Sequence, residues 1–343
     1  MGLISIFNRK ITMNYRISIL VVLLFLFSCS KENLVDISPK INFDVSEWIL
    51  KGRNITCVDF DKDENVWIAS GNELIFYNIS KIKTYDVGSL ILDISVATDG
   101  RVWLGTKDKG LASFSNGEFT FYNSENSGLP RDLIFDVETS PDGSVWFSSS
   151  AHQLGGLMHY DGDFELFTPD NSIINHNLIL GLKINAKGEV YFFSGGTVTE
   201  AKVFKTDGKN KWSKLGGEVV FYWIAALDLT SKSEPVVVTD HSLSSCWSCY
   251  ENEVVIYREG KWKVFERDFD IDFFNRMFID KRDYIWVKGS VQGDYSGYFV
   301  FDGNEWHRSK EGQISEVFIK SVKVDKQNNI WFCTEEGIFI LNQ

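Results

Sequence analysis

Basic residues are scarce in this 343-residue chain: 35 Lys and Arg stand against 47 Asp and Glu, giving a formal charge of −12, and no Lys/Arg cluster occurs beyond residue 28. Nucleic acid and anionic lipid headgroups are held by a basic face, so neither is an expected partner. Long apolar runs are also missing. The stretch from Ile17 to Phe27 stops at eleven residues, well short of the roughly 20 that span a bilayer as a helix. Histidines number only five, at 152, 159, 176, 241 and 307. They are scattered over different strands and links, with no local Ser/His/Asp arrangement and no metal cluster. His159, His176 and His307 are each expected to be structural; no cofactor or metal is expected, and catalysis is the less favoured reading.

The N-terminal stretch contains no acid and reads as a basic flank (Arg9, Lys10, Arg16) followed by the short apolar run, the layout of an export signal. Met13 would serve equally as a start. Leu26-Phe27-Ser28-Cys29 resembles the lipobox of bacterial lipoproteins, with Phe27 where a smaller residue is usual. That resemblance implies cleavage after Ser28 and lipidation of Cys29, hence a membrane attachment through lipid. Residues 1–28 are then a signal peptide, 29–40 a polar tether, and 41–343 the fold. Losing residues 1–28 removes three cations and takes the charge to −15.

About 300 residues are near the limit for one hydrophobic core, which favours a modular array. Seven segments align without gaps on a marker residue: Trp67, Trp103, Trp146, Tyr191, Val236, Trp286 and Trp331, spaced 36 to 50 residues apart. Nine and twelve positions before each marker stands an apolar residue, with a turn in between. That turn is Asp99-Gly100, Asp142-Gly143 or Lys187-Gly188 in three copies, where glycine supplies a positive φ; in the others it is Asp63-Glu64, Lys232-Ser233, Arg282-Asp283 or Gln327-Asn328. Three positions after the marker come Ser70, Thr106, Ser149, Ser194, Thr239, Gly289 and Thr334.

The marker strand is apolar without alternation, as in Val102-Trp103-Leu104, so both its faces must be buried. Sheets stacked face to face around an axis meet that condition. A third strand follows a glycine in several copies (Gly110, Gly156), and a fourth carries a charged-then-aromatic pair such as Glu118-Phe119 or Glu305-Trp306. The expected fold is all-β, a seven-bladed β-propeller of four-stranded antiparallel blades. The seventh repeat stops after its third strand, and Glu47-Trp48 repeats the fourth-strand signature. The segment 42–50 is therefore expected to pair into the last blade and close the ring.

The span Ile91 to Phe114, apolar-x-x-apolar, turn, Val-Trp-Leu-x-Thr, then Gly-Leu-x-x-Phe, resembles the two-component regulator propeller repeat over nearly all of the chain beyond the tether. In that family the propellers often form the periplasmic sensor of hybrid kinases that respond to carbohydrate. With neither a spanning helix nor a transmitter after Gln343, the signalling role is not expected to carry over directly. The chain is also similar to virginiamycin B lyase, which keeps a lyase or hydrolase reading open; that reading needs His152, His176 or His241 to meet carboxylates.

Second-to-third-strand loops and blade-to-blade links share one face of a propeller. These loops are long in repeats 3 to 6 (149–156, 194–200, 239–253 and 289–297), predicting a raised sector. It carries His152, Trp247 and Tyr295, with Tyr222, Trp223 and Phe273 on incoming links. Such rings suit sugar or peptide contacts; alternatively they pack the loops onto the blades. Ten positions before the markers, Cys57, Asp93, Asp136, Gly181, Ala226, Arg276 and Ser321 are expected to face the central channel. There Asp93, Asp136 and Arg276 bind a small polar ligand or, the favoured option, satisfy each other. Cys246 and Cys249 can close a disulfide in an oxidising compartment, and Cys57 and Cys333 read as buried thiols. The overall expectation is a non-enzymatic binding module of the cell envelope, held at the outer membrane, whose partner is a glycan, a peptide or an envelope protein; a sensor subunit serving a separate kinase is a further alternative.

Overall fold

The computed structural model describes residues 41–149, 154–195, 200–209, 211–216, 221–241, 251–266, 273–291, 295–310 and 318–343. Cys29, His152, Trp247, Cys246 and Cys249 lie outside them. The described residues form 28 strands in seven four-stranded antiparallel sheets. Six sheets take four consecutive strands each; the seventh has the order β1 (Glu47–Ile49), β28 (Gly337–Leu341), β27 (Ile330–Thr334), β26 (Ile319–Val324). This is a seven-bladed propeller closed by its first strand.

Closure rests on the expected residues. Trp48 pairs with Phe339 in register, their ring centroids 5.3 Å apart. Flanking polar contacts lengthen the seam: Gln343 Nε2 donates to Asn42 O at 2.6 Å and Ser46 N to Ile340 O at 2.8 Å. The marker strands β7 (Val102–Thr106), β11 (Val145–Ser149) and β15 (Val190–Ser194) are buried at every position. Stacking between neighbouring sheets removes both faces from water, which is why these strands do not alternate. The glycine ahead of the third strand permits a close approach. At Gly110, φ is +76° and a Cβ would sit 2.0 Å from Tyr122 O.

All seven innermost hairpins place the residue three before the marker at positive φ. Glycine does so in blades 2 to 4 (Gly100, Gly143, Gly188), as expected; Glu64, Ser233, Asp283 and Asn328 do so in the others. Those four side chains have a compensating use, because each bonds the turn of the preceding blade. Asn185 Nδ2 donates to Ser233 Oγ at 3.0 Å, Ser231 N to Asp283 Oδ1 at 2.6 Å and Lys281 N to Asn328 Oδ1 at 2.7 Å. Lys326 reaches Glu64 at 2.7 Å. Blades 4 to 7, and 7 to 1, are thus latched on this face. Where the position is glycine, no latch of this kind forms.

Candidate functional site

The axial channel is built from one recurrent irregularity. In six of the seven innermost strands the pairing slips at or just before the position ten residues ahead of the marker, between Ile91 and Asp93, Ile134 and Val137, Leu180 and Lys183, Ile224 and Ala226, Phe274 and Arg276, and Ile319 and Ser321. A β-bulge re-aims the side chain that follows it. Cys57, Asp93, Asp136, Gly181, Ala226, Arg276 and Ser321 accordingly all line one cavity of about 360 Å³ on the axis, with Trp223, Glu138, Lys183 and Lys323.

Most of the channel charge is tied up between blades. Asp93 Oδ2 accepts from Val137 N at 2.9 Å, Asp136 Oδ2 from Gly181 N at 3.1 Å, Asp59 Oδ2 from Val96 N at 2.8 Å and Asp228 Oδ2 from Ile279 N at 2.8 Å. Each carboxylate therefore grips the next blade's inner strand. Lys183 pairs with Glu138 at 3.1 Å and Lys323 with Asp59 at 2.9 Å. Burial, with the Asp136 charge adding to it, raises the Asp93 pKa to about 8; burial also raises Asp136 and Asp228. For Asp93 and Asp136 the geometry supports clamping, through backbone amides instead of each other. Arg276 differs, since no described acid pairs with it.

On the face that carries the blade-to-blade links, blades 5 and 6 stand tallest. Their three inner strands are β18 (Phe221–Leu229), β19 (Pro235–His241), β20 (Glu251–Arg258) and β22 (Phe273–Ile279), β23 (Ile285–Val291), β24 (Tyr295–Phe301), with 9, 7, 8 and 7, 7, 7 residues. In blade 2 the same strands have 6, 5 and 5. Residues 239–241, 251–253, 289–291 and 295–297, expected in loops, are thus rungs of extended hairpins: His241 pairs with Glu251 and Val291 with Tyr295. Ladder bonding continues through polar residues once the hairpin is in register.

Large apolar side chains are exposed at the upper ends of the inner strands on this face: Leu90 (40%), Phe135 (41%), Trp223 (42%) and Phe318 (61%). They start four of the seven inner strands, around the channel mouth. Trp223 is held there because Thr239 Oγ1 donates to its carbonyl at 2.6 Å. Ser194 Oγ likewise bonds His176 O at 2.8 Å, which gives the small polar residue after the marker its purpose, fastening the incoming link. Tyr222, Phe273 and Tyr295 fall on β18, β22 and β24, with their side chains outside the described residues. Leu90, Phe135 and Phe318 were not anticipated; each is adjacent to an anchoring isoleucine (Ile91, Ile134, Ile319), where a second apolar residue has no core to enter.

A second cavity, about 520 Å³, opens on the opposite face beneath blades 2 to 4, lined by Arg101, Ser140, Asp142, Trp146, His159 and Lys209 among others. It coincides with the three unlatched glycine turns; a Cβ on Gly143 would meet nothing within 4 Å. His159 lies on Trp146 at 4.3 Å, and burial lowers its pKa. His176 Nδ1 accepts from Leu178 N at 2.9 Å and His307 Nε2 sits 2.7 Å from Asp302, so both fix local turns. Asp302, Glu305 and His307 form the one metal-ligand-type grouping among the described residues, and that hairpin bond accounts for it. Cys57 and Cys333 are free and buried; Cys57 is on the innermost strand and Cys333 one strand further out. Burial raises both thiols, Cys333 to about 12, which leaves them unreactive.

No family model and no curated protein matches the chain. Solved structures do. A catalytically inactive virginiamycin B lyase from Staphylococcus aureus, with quinupristin, superimposes with a TM-score of 0.64 at 13% identity, over 86% of this chain and 97% of that one. The extracellular domain of a putative one-component system from B. thetaiotaomicron gives 0.60 at 16% identity, over 87% and 40%. PorZ, a bacterial surface component of the type-IX secretion system of Porphyromonas gingivalis, gives 0.59 at 16%, over 84% and 46%. What is shared is the propeller. The chain spans less than half the length of the last two, and the repeat resemblance holds at the level of fold.

Proposed function

We propose that this chain is a non-enzymatic recognition propeller of the bacterial cell envelope, attached through lipid at Cys29, that binds a glycan, peptide or envelope protein over the channel mouth. The observation that carries this reading is the exposure of Leu90, Phe135, Trp223 and Phe318 at the starts of four inner strands, on the face where the hairpins of blades 5 and 6 stand tallest. Exposed apolar side chains gathered on one face mark an interaction surface, and rings on loops and strand ends stack on sugars and peptides. An envelope setting is supported by the extracellular and surface propellers among its structural relatives. A lyase reading finds less support, because His176 is engaged in a turn.

The test is a binding screen of glycans, peptides and envelope extract against the purified protein and its Trp223→Ala and Trp247→Ala double variant. Loss of binding in the double variant is expected. Full binding by it, in a protein of unchanged thermal stability, refutes the assigned face.

A further inference from the structure

Arg276, Lys288 and Tyr298 occupy one row of blade 6: Arg276 on β22 is directly opposite Lys288 on β23, which is directly opposite Tyr298 on β24. Directly opposed residues share a face of the sheet, here the face toward blade 7, since Tyr298 and Phe278 both pack on Phe332 of β27. Like charges set opposite each other are destabilising, and this chain has acid in excess. Yet no described acid pairs with Arg276 or Lys288, whereas the other channel cations, Lys183 and Lys323, each hold a carboxylate. Burial keeps Arg276 below its ordinary pKa, and burial together with the Arg276 charge keeps Lys288 below its own.

Tyr298 supplies an independent observation. It is 0% exposed and its hydroxyl has no hydrogen-bond partner among the described residues. Burial holds its pKa well above the phenolic range, so the hydroxyl keeps its proton and can donate. A buried donor left without an acceptor is destabilising. Two unpaired cations and an orphaned donor therefore lie in one row, and Arg276 at its inner end opens on the channel. What the row lacks is an acceptor with negative charge.

We propose that Arg276, Lys288 and Tyr298 form an anion site for the carboxylate of a small organic acid whose apolar body lies against the channel mouth. The inference rests on the binding reading above and names the ligand class. A guanidinium fork matches a carboxylate. A single charge suits the site better than two, because Asp93, Asp136 and Glu138 line the same channel. The exposed Trp223, which lines the same channel, favours an apolar remainder.

The experiment is thermal unfolding and calorimetric titration of the purified protein with N-acetylphenylalanine, its neutral primary amide, and inorganic phosphate. The same is done for Arg276→Gln, Lys288→Met and Tyr298→Phe. Removing one of two opposed cations should by itself raise the melting temperature in anion-poor buffer, so the variants fold. Expected results are saturable binding of the carboxylate, none of the amide, at least tenfold weakening in Arg276→Gln and Lys288→Met, and several-fold weakening in Tyr298→Phe. The carboxylate should raise the melting temperature of the parent and not of Arg276→Gln. Equal binding of acid and amide, no binding of the acid, unchanged binding in Arg276→Gln, or binding of phosphate alone each overturns the proposal. Trp223→Ala together with Trp247→Ala tests the broader reading separately: partner binding lost in that variant while Arg276→Gln leaves carboxylate binding intact would sink this site and leave the face assignment standing.

Discussion

Asp93→Asn should stabilise the protein, and only above mildly acidic pH. The Asp93 carboxyl is raised from 3.8 to about 8 by burial, with Asp136 adding to it. Between those two values the folded protein holds a proton that the unfolded chain has released, so stability falls as pH rises from about 4 to 8 and is level beyond. A rise of that size corresponds to roughly 6 kcal/mol for a fully desolvated group. Asp93 is only partly buried and lines the open channel, so solvent screens it, and about 2 kcal/mol is the expected gain at pH 8. Asparagine can still accept from Val137 N, so the clamp survives. Urea unfolding of both proteins at pH 4.0, 6.0 and 8.0 reads the effect. The two should coincide at pH 4.0 and diverge steadily above it. A variant that is less stable at pH 8.0, or a difference that does not change with pH, refutes the account of a buried, charge-crowded carboxylate.

Three further substitutions probe the ring. Trp48→Ala removes the ring that packs on Phe339; for a half-buried tryptophan about 2 kcal/mol of stability should go, read by thermal unfolding. Deletion of residues 41–50 should cost far more. Gly110→Ala forces a Cβ to within 2.0 Å of Tyr122 O and should cost more than about 2 kcal/mol, whereas Gly143→Ala, with open space around it, should show the backbone cost of positive φ alone, about 1 kcal/mol. Equal effects at the two glycines would contradict the close approach assigned to Gly110.

The propeller was legible because a blade is a local object. Its marker strand is buried on both faces and its turns recur at fixed offsets, so Val102-Trp103-Leu104 and Asp99-Gly100 carry the pattern within a dozen residues. The ring of channel-facing positions was legible for the same reason. What escaped reading depends on partners in another blade or another strand. Ser233, Asp283 and Asn328 gave no sign that they latch one turn to the next, since Asn185, Ser231 and Lys281 lie 47 to 52 residues away in the chain. Lys288 and Tyr298 look like ordinary strand residues until the register sets them beside Arg276. The polar run Thr239-Asp240-His241 shows no strand alternation, and only its continuation of an established hairpin makes it a strand.

The link-bearing face of the ring, not the opposite one, is the face assigned to binding. A structure of the protein purified under native conditions tests this most directly. Bound density over the mouth bordered by Leu90, Phe135, Trp223 and Phe318 is the predicted result. Density confined to the groove beneath blades 2 to 4, against Arg101 and His159, would contradict it.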